Sequence, residues 1–167
     1  LVAPRGWKVR PTSDRVREAI FSALGTVEGA SVLDLYCGTG ALAIEALSRG
    51  AARATLVDRD TRAALGNVEH LGLGERVELV RADVSRWLTG RAEDGEATFD
   101  LVFIDAPYRL ADRVGQELDT QLPRLLNTGG RAIVESGAGR PLRIESLPRL
   151  RQRRYGAADV AFYGEPA

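Results

Sequence analysis

The 167-residue chain has little of what staples or metallates a small protein: one cysteine, one histidine and no methionine. A lone Cys37 cannot form an internal disulfide, so a reducing, cytoplasmic setting is the default reading. His70 by itself supplies no ligand cluster, and no metal is expected. No apolar run approaches the ~18–20 residues that cross a bilayer, and the N-terminus lacks the charged-then-apolar pattern of a signal peptide, so no membrane partner is expected. Because the chain starts at Leu1 and holds no methionine, its natural start reads as missing. The length fits one domain over 1–167, read as a monomer and able to bury a core unaided.

What is present is unevenly placed. The formal net charge is zero. Residues 1–20 nevertheless carry Arg5, Lys8, Arg10, Arg15 and Arg17 against only Asp14 and Glu18, and residues 140–154 carry six arginines against Glu145. Basic ends around an acidic remainder point to a polyanion held at the periphery, such as nucleic acid. Arginines that merely solvate exposed faces would look the same on charge alone.

Hydrophobic patterning predicts alternating helices and strands. Val16, Ile20, Ala23 and Leu24 recur at helical spacing between a Thr12 or Ser13 cap and a stop at Gly25. "SVLDLY" is a strand that meets the glycine turn "CGTG", and "ALAIEALSRG" is the helix after it. "ATLVD", a helix over Thr61–Leu71, "VELVR" and a short helix from about Ser85 continue the series. "TFDLVFID" is a fourth strand, Ala111–Leu126 a helix, and "RAIVES" a fifth strand. "LRQRRYG" and "ADVAFYG" close the chain as two strands around Gly156 and Ala157. This order predicts an α/β fold: a Rossmann-like, doubly wound, mostly parallel sheet with an antiparallel C-terminal edge.

In such sheets ligands sit beyond the carboxyl ends of the strands. Asp34, Asp58, Asp83 and Asp105 end four successive strands. Asp is a common cap or turn residue, which accounts for any one of them more easily than for all four. Gly38, Gly40 and Ala43 fit G-x-G-x-x-[GA], a weak signal alone, and Asp58 lies at the next strand end, where an acid accepts from ribose hydroxyls. Together they define an adenosine-type site. Asp34 beside the glycines suits a cation better than a diphosphate, which favours the sulfonium and ammonium of S-adenosylmethionine over a nicotinamide cofactor. Asp83 is then placed for the adenine amine, and Tyr36 borders the cofactor. Cys37 reads as small packing, Trp87 as core, and His70 as an exposed helix end.

"VLDLYCGTGALAIEALSRGA" resembles the first motif of class I S-adenosylmethionine-dependent methyltransferases. "RPTSDRVREAIFSAL", "FDLVFIDAPY" and "RQRRYGAADVAFY" together resemble the bacterial 16S ribosomal RNA (guanine-N2) methyltransferase family, over about Leu1 to Tyr163. The resemblance implies the class I methyltransferase fold and S-adenosyl-L-methionine as cofactor. Asp34, Gly38 and Gly40 would hold its methionine part, Asp58 the ribose, and Asp83 with the Val84 backbone the adenine, with Tyr36 and Arg59 beside them. Asp105, Ala106, Pro107 and Tyr108 would form the amine-methylating motif. Arg10, Arg15, Arg17, Arg151, Arg153 and Arg154 would contact RNA, either 16S ribosomal RNA or a small-subunit assembly particle. A β-hairpin that usually precedes "RPT" in the family is expected to be mostly absent.

The "DAPY" stretch has its own chemical logic. A nucleobase amine is a poor nucleophile because its lone pair is delocalised into the ring. Asp105 and the Ala106 carbonyl can each accept one N–H and aim that lone pair, while Tyr108 stacks on the base. Pro107 holds residue 106 extended. The family pattern is Asp-Pro-Pro-aromatic, so Ala106 replaces a proline, keeping the carbonyl at some loss of rigidity. Two other readings stay open: methylation of another planar amine (adenine N6 or a glutamine side chain), whose enzymes usually carry Asn where Asp105 stands, and a non-catalytic nucleotide-binding module.

Overall fold

The computed structural model describes residues 14–94, 98–107, 111–139 and 141–165. Five parallel strands carry the chain upward through β1 (Ser31–Leu35), β2 (Arg53–Asp58), β3 (Val77–Arg81), β4 (Phe99–Asp105) and β5 (Leu126–Gly137). Helices α1 (Asp14–Leu24), α2 (Ala41–Ser48), α3 (Arg62–His70), α4 (Val84–Asp94) and α5 (Ala111–Leu125) precede or connect them. The strands β6 (Arg149–Tyr155) and β7 (Ala158–Gly164) then form a hairpin whose second strand pairs antiparallel with β5. The sheet order is β3-β2-β1-β4-β5-β7-β6. Strand order therefore reverses between β1 and β4, and a crevice at their carboxyl ends is the consequence.

Alternation along each strand divides the core in two. Val32, Leu101, Phe103, Ile133, Val160 and Phe162 face a cluster with Val16, Ile20, Phe21 and Leu24 of α1 and Leu42, Ala43, Ala46 and Leu47 of α2. Leu33, Val102, Ile104, Ala132 and Val134 face Leu88 of α4 and Val114, Leu118 and Leu122 of α5. Full burial of each large side chain contributes roughly 1.5–3 kcal/mol. Both faces being covered, β1 is buried at all five positions, which explains why "SVLDL" shows no apolar–polar alternation.

Helix α1 fixes the approach to the crevice. Arg131, near the amino end of the regular part of β5, donates from Nη2 to the Leu24 carbonyl at 3.2 Å, so α1 ends low on the sheet. Eleven residues at ~1.5 Å each span about the height of a strand. Its first turn, with exposed Asp14 and Arg15, accordingly lies toward the carboxyl edge.

Element limits follow the predicted ones closely, with one correction. Strand β5 starts at Leu126 and not at Arg131, because Leu126 pairs with Phe99 before an irregularity that ends where Leu101 meets Arg131. The cause is long-range: Asn127 Nδ2 donates to Asp100 Oδ1 at 2.8 Å. Gly130 has no room for a side chain, since an added Cβ would lie 2.8 Å from the Asn127 carbonyl.

Candidate active site

The crevice is built from the loop that follows β1. Tyr36 has a left-handed φ of 61°, rare for a bulky residue, and Gly38 and Gly40 follow at 54° and 77°. The turn is fastened to β2 through the Val57 carbonyl, which accepts from the Tyr36 and Cys37 N–H groups at 3.0 and 3.3 Å. The two glycines do different work. A Cβ on Gly40 would sit 2.9 Å from Leu56 Cδ2, so its absence lets α2 pack on the sheet, whereas a Cβ on Gly38 would meet nothing within 4 Å. Gly38 thus faces open space where a ligand can approach the backbone.

Carboxylates take the N–H groups that would otherwise face this space. Asp58 Oδ2 accepts from Gly38 N at 2.9 Å and its Oδ1 from Asp60 N at 3.1 Å. Asp34, 2% exposed, accepts from Ala43 N at 3.2 Å in the first turn of α2. Burial raises the Asp34 pKa to about 7, the Ala43 hydrogen bond opposes the rise, and the Asp58 charge adds to it. A helix N-terminus beside a glycine loop is ordinarily an anion site. Here the Asp34 carboxyl, charged above about pH 7, occupies it beside Asp58, so a diphosphate is repelled and a cationic group is attracted. The residues therefore fit the sulfonium and ammonium of S-adenosylmethionine.

The neighbouring strand ends complete the pocket. Asp83 is the N-cap of α4, with Oδ1 accepting from Arg86 N at 3.1 Å, and its Oδ2 accepts from Arg59 Nε at 2.8 Å. Val84 beside it is buried. Tyr36 is half-buried, and burial, followed by the Asp83 and Glu117 carboxylates, pushes its hydroxyl up to about 12, so it stays a neutral donor. The Cys37 thiol is buried and pushed up, first by burial and then by Asp34 and Asp58, which matches packing and not nucleophilic chemistry.

Across the switch point, Ile104 pairs with Leu35, so Asp105 leaves β4 beside the start of the glycine loop. Asp105 is half-buried, Ala106 buried and Pro107 exposed; Tyr108 lies outside the described residues, as does Arg10. Asp34, Tyr36, Gly38, Gly40, Asp58, Arg59, Asp83, Val84 and Asp105 to Pro107 are thus gathered at one edge of the sheet. The basic residues are spread over two elements. Arg15 and Arg17 lie on α1, where Arg17 Nη2 meets Asp14 Oδ1 at 2.6 Å and its Nε lies 3.6 Å from Glu45 Oε2. Arg151, Arg153 and Arg154 are on β6.

One supporting residue was not anticipated. Asn67 of α3 is buried and donates from Nδ2 to the Thr39 carbonyl at 3.0 Å, holding the glycine loop from below. The signal was available: Asn67 interrupts the apolar stripe formed by Ala64 and Val68. Among the described residues, no group of three or more His, Cys, Asp or Glu could hold a metal ion, and no helix is long and apolar enough to cross a membrane.

The model of one protein family, described as conserved hypothetical protein 95, matches residues 1–164. The chain belongs to this family. It is 34% identical over 174 residues to YlbH of Bacillus subtilis, named provisionally as an rRNA methyltransferase, covering 98% of this chain and 91% of that one. It is 38% identical over 113 residues to ribosomal RNA small subunit methyltransferase D of Escherichia coli K12, covering 65% of this chain and 54% of that one. Among solved structures, a hypothetical protein of Thermus thermophilus superposes with a TM-score of 0.81 at 28% identity, covering 99% of this chain and 92% of that one. At 18% identity and a TM-score of 0.70, a methyltransferase-like protein solved with SAH, SMU.776, shares the fold, covering 89% of this chain and 48% of that one. The fold is that of the S-adenosylmethionine-dependent methyltransferases.

Proposed function

We propose that this methyltransferase-fold protein transfers a methyl group from S-adenosylmethionine to the exocyclic N2 amine of a guanine in 16S ribosomal RNA, presented as RNA or as a small-subunit assembly particle. The observation that carries the reading is the position of Asp105 and Ala106 directly across the switch point from the Asp34–Gly40 loop. The small-subunit rRNA substrate is supported by the name of the Escherichia coli relative. Guanine is favoured over adenine by Asp105, which stands where adenine and glutamine methylases usually carry Asn.

S-adenosylmethionine, when bound, supplies an electrophilic methyl group on a positively charged sulfur. The chain's own residues do the rest. Asp34 holds the cationic methionyl part, and Asp58 retains lone pairs for the ribose hydroxyls beyond those that accept from Gly38 and Asp60. Asp83, fixed by Arg59 and by its cap to α4, and the Val84 backbone take the adenine edge. Asp105 and the Ala106 carbonyl each accept an N–H of the target amine. That draws the nitrogen toward tetrahedral geometry and points its lone pair into the crevice. The contacts strengthen as the nitrogen takes the methyl group and gains positive charge, so they act mainly in the transition state, and the proton that the methylated nitrogen then sheds leaves along its N–H contact to the Asp105 carboxylate.

The test is single-turnover methylation of a 16S transcript at saturating cofactor, with the modified base mapped. Asp105→Ala should bind S-adenosylmethionine nearly normally and lose at least ~10²-fold in rate. Asp105→Asn should retain more, since its amide oxygen still accepts, and Ala106→Pro should be tolerated or faster. Near wild-type turnover in Asp105→Ala, or methyl incorporation elsewhere than guanine N2, would sink this mechanism.

A further inference from the structure

The arginines of β6 divide by face. This strand is the last of the sheet, and Arg149 to Arg154 are all exposed. Arg151 pairs with Phe162 and Arg153 with Val160 of β7, whose side chains lie in the core beneath α1. Side chains at paired positions share a face, so Arg151 and Arg153 leave the strand on the side of α1. Gln152 and Arg154 pair with Ala161 and Asp159 and leave on the other side.

Asp105 belongs to the first side. Register runs from Asp105 to Glu135 in β5, to Val160 in β7, to Arg153 in β6, a single row across four strands. Three strand spacings of ~4.8 Å put Arg153 about 14 Å from Asp105 along that row, a span that a few nucleotides of single strand cover. Helix α1 packs on this same side of the sheet, and its first turn carries the exposed Arg15.

Arg154 differs in partner as well as in face. Its Nε donates to Asp159 Oδ1 at 2.8 Å and its Nη2 to Oδ2 at 3.1 Å. The Asp159 side chain is 4% exposed and also accepts from Gly139 N at 3.4 Å. The Arg154 guanidinium beside Asp159 holds its carboxyl below the usual range, so the Nε and Nη2 of Arg154 are committed to neutralising a buried charge. Charges on an edge strand also discourage sheet-to-sheet pairing. That role needs only charge on the edge and does not account for Arg151 and Arg153 standing side by side on the α1 face, while Arg149, paired with Tyr163, leaves on the other face with Arg154.

We propose that the α1 side of β6, through Arg151 and Arg153 and continued by Arg15, holds the phosphates flanking the target base, and that Arg154 is a structural residue. The proposal rests on the RNA methyltransferase reading. Its test uses neighbouring substitutions of equal charge change: Arg153→Gln and Gln152→Glu each lower the net charge by one, on opposite faces. Binding of a 16S ribosomal RNA transcript to the full chain is titrated against salt.

The double variant Arg151→Gln/Arg153→Gln should weaken binding by about 10-fold near 0.1 M salt and reduce the slope of log affinity against log salt by about 1.4, which is ~0.7 per lost phosphate contact on a single strand. It should raise KM for RNA while kcat is kept. Gln152→Glu should stay within about twofold of wild type, as expected of a charge facing away from the bound strand. Arg154→Gln should lower the melting temperature without changing the salt slope. Equal weakening by Gln152→Glu and Arg153→Gln, or an unaltered slope in the double variant, would overturn the assignment. Calorimetry with S-adenosylmethionine and methyl incorporation by wild type separate the two levels. If wild type methylates RNA and the double variant binds it normally, only the face assignment fails; if wild type does neither, the functional reading fails.

Discussion

Asp34 is asked to be buried and charged at once, and its pH behaviour follows from that conflict. With the pKa raised from 3.8 to about 7 by burial, the folded chain keeps a proton that the unfolded chain releases. Stability from this residue is therefore fully present below about pH 4 and is lost as pH rises toward 7, by up to about 4 kcal/mol for roughly three units. Asp34→Asn removes the charge and keeps the shape. Its stability advantage over wild type should grow from pH 4 to 7 and then level off, as urea unfolding at several pH values would show. The same variant should bind S-adenosylmethionine at least ~10-fold more weakly at pH 8, the loss of a charge-assisted contact. Parallel pH profiles for the two proteins would mean that Asp34 does not titrate in this window. At this scale much was legible in advance, since a strand-end rule plus an aspartate count selects Asp34, Asp58, Asp83 and Asp105. Two things were not: that Gly38 N and Ala43 N are already claimed by Asp58 and Asp34, and that Asn67 supports the loop. Those contacts join residues 20, 9 and 28 positions apart and depend on side-chain direction, which spacing does not encode.

At the scale of elements, the glycine loop and α2 act as one unit whose two glycines fail in different ways. In Gly40→Ala, a φ of 77° is combined with a Cβ 2.9 Å from Leu56 Cδ2, so both backbone strain and a clash oppose it. It should cost about 1–3 kcal/mol of folding stability. Gly38→Ala meets nothing within 4 Å and bears only the strain of its φ of 54°. It should cost about 1 kcal/mol in stability yet impair S-adenosylmethionine binding more, because its methyl group enters the open space above the loop. Denaturant unfolding and calorimetry on both variants should show the two losses in opposite order; the same order in both would mean that the glycines share one role. Helices were readable because each buries one face at its own period, as in Val16, Ile20 and Leu24 of α1, and β1 because a strand covered on both faces is a short continuous apolar run. The start of β5 was not, because Leu126 to Gly130 has no alternation and is positioned by the Asn127–Asp100 bond and by the crowding around Gly130. Asp83 shows that a bland reading and a functional one can hold together: it caps α4, and the cap fixes the carboxylate that faces the adenine side in the proposed mechanism.

For the whole molecule, topology and charge separate two tasks. Strand order gathers the carboxylates at the switch point between β1 and β4, while the hairpin of β6 and β7 extends the sheet sideways and carries arginines to its far edge. A net charge of zero thus conceals an acidic crevice flanked by basic surface. The cofactor contacts proposed for the crevice are short-range and partly buried, and salt screens such contacts weakly; the arginine contacts proposed for RNA are exposed and displace counterions. Between about 50 and about 200 mM salt, S-adenosylmethionine affinity should change by less than about twofold. RNA affinity should fall about 20-fold over the same interval if Arg15, Arg151 and Arg153 each neutralise one phosphate, at ~0.7 per contact in the logarithmic slope, and further for each additional contact. Calorimetry for the cofactor and filter binding for a 16S transcript, across one salt series on one preparation, measure both. A flat RNA response would mean that base contacts in the crevice carry the affinity and that the basic edge is only a solvated surface. A cofactor response as steep as that of the RNA would mean that the acidic crevice is open to bulk ions and that Asp34 is less enclosed than its burial implies.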